Sequence, residues 1–255
     1  MKFDSRYRVA SKAASVHLLG SIALAVIAAA IVFGLWYPYP YRELSGGREL
    51  FMLVIAVDVV CGPLLTFVLF NPAKPRQELW IDLSLVVVVQ LLALSYGVWT
   101  TWQARPLYLA LEVDRFKVVM SADIDHEALK LLPTDLRPFA FGGVRTVALR
   151  SPNSVHEKNK VLFESIVGGR DYAERPEFYV PYEGGAAKAS LIRARPLEPF
   201  LQKFPDQRES VEKLASVNKI ALSDLTLLPV VGRQDWVALL DRNGGIQGFA
   251  KGDGF

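Results

Sequence analysis

The chain has 255 residues, of which 51% are hydrophobic and 22% are charged. This balance is too apolar for a typical soluble protein, and the formal net charge of +3 is too small to indicate nucleic-acid binding. A single cysteine excludes an intramolecular disulfide framework, and three histidines offer little for a zinc site, so we expect neither metal nor cofactor. Charged residues are sparse before residue 105 and ordinary after it, which predicts a membrane part followed by a soluble part.

Three apolar runs occupy the first 104 residues, at about residues 17–36, 51–70 and 81–102. Each run has roughly 20 residues, or ~30 Å as a helix, which matches the hydrocarbon core of a bilayer. The first run is longer than the apolar part of a cleaved signal peptide and continues past its alanines to Trp36. The sequence therefore predicts a three-helix transmembrane region over residues 17–104.

Lysine and arginine residues predict the orientation of these spans. They concentrate before the first span and in the loop after the second, at Lys2, Arg6, Arg8, Lys12, Lys74 and Arg76. Because basic loops stay in the cytoplasm, residues 1–16 are predicted to form a cytoplasmic tail and residues 105–255 to lie outside. In a bacterium with two membranes, this is a multi-pass inner-membrane protein with a periplasmic C-terminal domain.

Short elements separated by turns follow residue 105. Residues 107–120 are typical of one long strand or two short ones, and residues 145–149 of another strand. Ser154 to Glu157 fits a capping box at the start of a helix, and a second helix is predicted to begin near Asp206. Residues 235–250 indicate a hairpin with Asn243-Gly244 in a type I′ turn. The fold class is thus a membrane protein: three N-terminal transmembrane α-helices followed by a small α+β extracytoplasmic domain.

Asp58 is the most informative residue of the spans. A carboxylate inside a span costs about 2.5–3.5 kcal/mol on insertion, so it usually faces protein or water. Gly62 and Thr66 follow at intervals of four, which places all three residues on one helical face. Pro63 lacks a backbone donor and is predicted to kink this helix, a structural role.

The third span carries a second small and polar stripe that includes Gln90 and Gly97. In one interpretation, Asp58 hydrogen-bonds Gln90 or a backbone group inside a three-helix bundle. In the other, a partner-binding face of Asp58, Gly62, Thr66 and Gln90 receives the transmembrane helix of another protein, with Gly97 serving close packing. Both interpretations stay open at this point.

Catalysis is not expected. The chain contains none of the GxSxG, Walker A, GxGxxG or HExxH patterns, and its histidines lie in no recognisable motif. Three spans also lack the repeated halves that are usual in transporters. We therefore predict a protein that is not an enzyme.

Several segments together resemble one known family. They are Trp36-Tyr37-Pro38, the run from Ala56 to Thr66, Tyr96-Gly97, Gln103 to Pro106, and Val113 to Phe116. Their order and spacing resemble the type IV pilin accessory proteins of the TfpX/TfpZ type over about residues 13–120, and the match weakens beyond. The resemblance supplies no catalytic residues.

The resemblance implies an inner-membrane accessory protein or chaperone that promotes assembly of a cognate type IV pilin into pili. It implies the major pilin as partner, contacted through the transmembrane face and the periplasmic domain, besides membrane lipid. Self-association and contact with other pilus assembly proteins remain open as further uses of the small-residue stripes. Two other classes also remain: a structural subunit of an envelope complex, and a sensor with a periplasmic domain.

Overall fold

The computed structural model describes the backbone of residues 2–255 and the side chains from Arg6 onward. It divides into two compact units. One unit comprises residues up to Trp36 together with Gly47–Gln103, and the other comprises Tyr37–Gly46 together with Ala104–Phe255. The chain therefore passes between the units three times.

The first unit is built from long helices. Helix α1 spans Lys2–Ile31 and continues as a π-helical turn over Val32–Trp36, α3 spans Gly47–Leu69, and α4 spans Arg76–Gln103. Among the described residues, these are three helices long and apolar enough to cross a membrane. They confirm the three predicted spans, although each helix begins earlier than its apolar run, because helical geometry continues past the residues that lipid requires to be apolar.

The second unit is a mixed α+β fold, as predicted. Its strands are β1 (Pro106–Glu112), β2 (Arg115–Met120), β3 (Arg145–Leu149), β4 (Tyr179–Pro181), β5 (Arg195–Pro196), β6 (Thr226–Val231), β7 (Trp236–Leu240) and β8 (Ile246–Lys251). Its helices are α2 (Tyr41–Leu44), α5 (His126–Leu131), α6 (Val155–Ile166), α7 (Gly184–Ser190), α8 (Leu197–Lys203) and α9 (Arg208–Asn218). The strands form one sheet in the order β4-β3-β1-β2-β6-β7-β8, and β5 pairs with β6.

Alternating side chains give this sheet two apolar faces. On one face, Leu227 and Leu239 pack with residues of α8 and α9, while Tyr108 and Ala110 pack with residues of α5. On the other face, Leu228, Trp236 and Leu240 pack with Tyr41 and Leu44 of α2. The short connection between the first two spans therefore supplies part of the core of the second unit, which the sequence did not indicate.

Local details confirm some predictions and correct others. Residues 107–120 form two antiparallel strands, and Ser154 caps α6 by accepting a hydrogen bond from the Glu157 N–H at 3.1 Å. The second predicted helix is α9, which begins at Arg208, two residues after Asp206, and its N-cap residue Gln207 makes no side-chain capping bond.

The predicted type I′ turn at Asn243-Gly244 is wrong. The β7–β8 loop runs over residues 241–245, and only Gly244, at φ +80°, has positive φ there. The Asp241 carboxylate accepts from the N–H groups of Asn243 and Gly245 at 2.8 and 2.9 Å. Because this carboxylate holds the loop, a longer turn replaces the two-residue one.

Candidate functional site in the membrane helices

The predicted face lies on α3, which packs between α1 and α4 in the first unit. Asp58, Gly62 and Thr66 are all buried on this helix, with 5% of Asp58 and 3% of Thr66 exposed. After the first turn, which exposes Arg48 and Glu49, the exposed positions of α3 are apolar, among them Leu53, Val60 and Leu64. The one carboxylate in the middle of the helix is therefore turned inward, as the cost of placing it against lipid requires.

Gln90 of α4 joins the three helices. Its side-chain Nε2 donates to the Asp58 carbonyl oxygen at 2.9 Å and to Ser21 Oγ of α1 at 3.0 Å. The contact between Asp58 and Gln90 that the sequence left open is thus made through the main chain of Asp58. Among the described residues, the carboxylate oxygen Oδ1 of Asp58 and the amide oxygen of Gln90 are both buried without a hydrogen-bond partner.

A second polar contact links α1 to α3. His17 Nδ1 and Thr66 Oγ1 lie 2.5 Å apart, two helical turns from Asp58 along α3. No role for His17 was predicted from the sequence. The feature that could have indicated this contact is the four-residue spacing of His17 and Ser21, which places both residues on one face of α1.

Two grooves meet at Asp58. The larger, of about 420 Å³, lies between α3 and α4, and the smaller, of about 300 Å³, lies between α1 and α4. Asp58 and Gln90 line both grooves, while Val57 and Cys61 line only the larger one. Both grooves thus have mainly apolar walls, and they share Asp58 and Gln90 as their polar centre.

Small residues shape these helix contacts. A Cβ atom at Gly62 would collide with the Gln90 amide, and one at Gly97 would collide with Val54 of α3. Glycine at these positions lets α4 approach α3 closely. Pro63 lies buried within α3, which remains helical to Leu69, and the predicted kink at this residue stays a prediction.

The second unit holds a separate charged cluster. Lys117 Nζ lies 2.7 Å from both Asp171 and Glu174. Burial raises the pKa of the nearby Glu112 carboxyl, which Lys117 only partly offsets. No group of three or more residues that could hold a metal ion occurs in the described part of the chain.

These features define a multi-pass membrane protein with a buried polar centre between its spans and a folded α+β unit. The sequence profile described as "Fimbrial assembly protein FimB" matches residues 5–46. "Fimbrial assembly protein, serogroup I" of Dichelobacter nodosus is 33% identical over 241 residues, covering 93% of each chain. The serogroup E1 protein of the same organism is 32% identical over the same share of both chains.

The chain belongs to this family of fimbrial assembly proteins, in agreement with the resemblance to type IV pilin accessory proteins. A shorter relative, "Fimbrial assembly protein, serogroups C1 and C2", is 40% identical over 119 residues, which are 47% of this chain and 91% of that protein. No solved structure is significantly similar to the chain.

Proposed function

We propose that the protein is a non-enzymatic helper of fimbrial assembly that holds the major pilin of a type IV pilus in the inner membrane before the pilin is incorporated. Membership of a family whose members are named fimbrial assembly proteins supports the general role. The observation that carries the proposed mechanism is the buried Asp58 carboxylate, whose Oδ1 has no hydrogen-bond partner among the described residues.

A buried carboxylate oxygen that lacks a hydrogen-bond partner inside the helices is costly unless another group supplies a donor. A pilin transmembrane helix that brought an N-terminal amine or another donor to this depth would supply the missing partner. The groove between α3 and α4 offers apolar walls for such a helix beside the carboxylate. Asp58, Gly62 and Gln90 line this groove and form the centre of the proposed partner-binding face, while Thr66, the fourth residue of that face, lines neither groove and contacts His17.

Sidedness supports the proposed orientation. Tyr37–Gly46 and Ala104–Phe255 form one unit, so they must lie on the same side of the membrane. Three spanning helices satisfy this requirement, because they leave the N-terminus and the loop after α3 on the opposite side. Basic residues in those two segments favour the cytoplasm for them and the periplasm for the folded unit.

In-cell photo-crosslinking from α3 tests the proposal. A photoreactive residue would replace Val57, which lines the larger groove, and in a matched strain Val60, an exposed valine outside both grooves. We expect the major pilin to be captured from position 57 and not from position 60. Capture of only this chain or other envelope proteins from position 57 would favour a structural subunit, and equal capture from both positions would exclude the groove.

Replacing Asp58 separates binding from folding. Asp58→Leu removes a buried carboxylate that lacks a partner at Oδ1 and keeps the main-chain carbonyl to which Gln90 donates. We expect unchanged or higher thermal stability together with loss of pilin capture and of surface pili. Normal piliation with Asp58→Leu would show that the carboxylate does not pair with pilin.

A further inference from the structure

Helix α6 of the second unit turns an apolar face outward. Five large apolar residues of α6 and its C-cap are 57–75% exposed: Val155, Leu162, Phe163, Ile166 and the C-cap Val167. Val161 is the one that is buried. At 100° per residue, these side chains lie on one side of a helix of about 18 Å and form a mainly apolar stripe, which also contains the exposed residues His156 and Asn159. Exposed large apolar patches of this kind mark interaction surfaces.

The charged residues that border this stripe are both basic. Lys158 and Lys160 lie on its two flanks by helical position, and both residues are exposed. The acidic residues of α6 lie outside the stripe, half-buried and paired: Glu157 with Arg150 at 2.9 Å and Glu164 with Arg175 at 2.7 Å. Glu164 also lies 4.0 Å from Lys160 Nζ through its other carboxylate oxygen. The outward side therefore has five large apolar residues and two uncharged polar ones, Asn159 and neutral His156, in its middle and a lysine on each edge.

We propose that this outward face of α6 binds the surface of an anionic bilayer, with the apolar stripe in the acyl boundary and Lys158 and Lys160 at the lipid phosphates. Interfacial helices have this arrangement of an apolar face bordered by basic residues, and long lysine side chains reach from the apolar boundary to the headgroups.

Two observations favour lipid over other occupants. A symmetric contact with a second copy would bring the lysine-bordered stripes together without an acidic residue on either outward face. The second unit is also joined to the spanning helices at three points of the chain, so a lipid surface is always present at high effective concentration. The proposal does not depend on the role in fimbrial assembly.

Spin labelling of the full chain tests it. With Cys61 replaced by alanine, single cysteines would be introduced as Val167→Cys on α6 and Val217→Cys on α9. These valines are 69% and 72% exposed and make a matched pair. The labelled proteins would be reconstituted in vesicles of phosphatidylglycerol and phosphatidylcholine, and collision with oxygen and with a water-soluble nickel complex would be measured.

At position 167 we expect high accessibility to oxygen and low accessibility to nickel, and at position 217 the reverse. Equal, water-like values at both positions would overturn the proposal. Shielding of position 167 from both reagents would overturn it as well, because a protein surface would then cover the stripe.

The lysines give a second test. Lys158→Glu combined with Lys160→Glu is expected to return the label at position 167 to water without loss of helical circular dichroism. An unchanged accessibility in that variant would contradict the proposed contact with anionic lipid.

Discussion

At the scale of single residues, glycine at position 97 lets α4 approach α3 closely because it has no side chain. A Cβ atom there would overlap Val54, whose branched side chain has little freedom to move in a helix. We expect Gly97→Ala to lower the free energy of unfolding by about 1–3 kcal/mol. Thermal unfolding in detergent would measure this, with Gly20→Ala as control because nothing lies within 4 Å of a Cβ there. Equal stability of the two variants would argue against close packing at Gly97.

Glu112 gives the folded unit a pH dependence with a definite sign. Its pKa is raised mainly by burial, so the folded chain binds a proton that the unfolded chain has already lost. Stability contributed by this group is therefore present below the ordinary glutamate pKa of about 4.3 and falls as pH rises through the higher folded value.

Glu112→Gln is accordingly expected to raise the melting temperature at pH 7 and to bring no gain at pH 4, because the amide cannot ionise. Lys117 keeps its contacts with Asp171 and Glu174 in this variant. Melting curves across this pH range would measure the effect, with the exposed Glu177→Gln as control. A variant less stable than the parent at pH 7 would show that the charge of Glu112 stabilises the fold.

At the scale of elements, α2 is a four-residue helix that completes a core distant in sequence. Leu44 is fully buried, its carbonyl oxygen accepts from the Arg233 N–H at 2.6 Å, and the ring of Tyr41 lies 5.8 Å from that of Phe249. We expect Leu44→Ala to cost about 2–5 kcal/mol of stability in the folded unit. Leu131→Ala, at a leucine 86% exposed, is the control and should change stability by less than about 0.5 kcal/mol.

Hydrogen exchange of the full chain would locate this loss. Faster exchange in β6 and β7 with Leu44→Ala, and not with Leu131→Ala, is the expected pattern, because α2 packs on these strands. Exchange unchanged in both strands would mean that the fold does not need α2.

Elements with local causes were predictable from the sequence. Each span is an apolar run of about 20 residues with few polar positions, β3 contains the β-branched pair Thr146-Val147, and the Ser154 cap depends on a residue only three positions away. The packing of α2 could not be predicted, because Tyr41 and Leu44 meet partners about 70–200 residues later in the chain. The hairpin of β7 and β8 was predicted correctly, but the type of its turn was not, because the Asp241 side chain, and not the Asn-Gly pair, determines the loop geometry.

In the candidate site too, features within one helix were predictable from the sequence and contacts between helices were not. The spacing of Asp58, Gly62 and Thr66 by four residues was enough to place them on one face. The link from Gln90 to Ser21 and the approach of His17 to Thr66 depend on how three helices rotate against one another. No periodicity within one helix contains that information.

At the scale of the whole molecule, the orientation of the chain is directly measurable. With Cys61 replaced, Ala73→Cys lies in the loop after α3 and Ala122→Cys lies in the folded unit, and both alanines are exposed. A membrane-impermeant maleimide applied to cells with a permeabilised outer membrane is expected to label position 122 and not position 73. The opposite labelling would reverse the proposed orientation.

The inclusion of Tyr37–Gly46 in the second unit also has a consequence for the synthesis of the chain. This segment leaves the ribosome long before Ala104–Phe255, yet the unit needs both pieces. Its core can close only after α3 and α4 have both crossed the membrane, because these two crossings return the chain to the side where Tyr37–Gly46 lies. A chain in which only one of these two helices crossed would leave the two pieces on opposite sides of the bilayer, and its unfinished domain would be open to proteases. The fold thus contains its own check on membrane insertion.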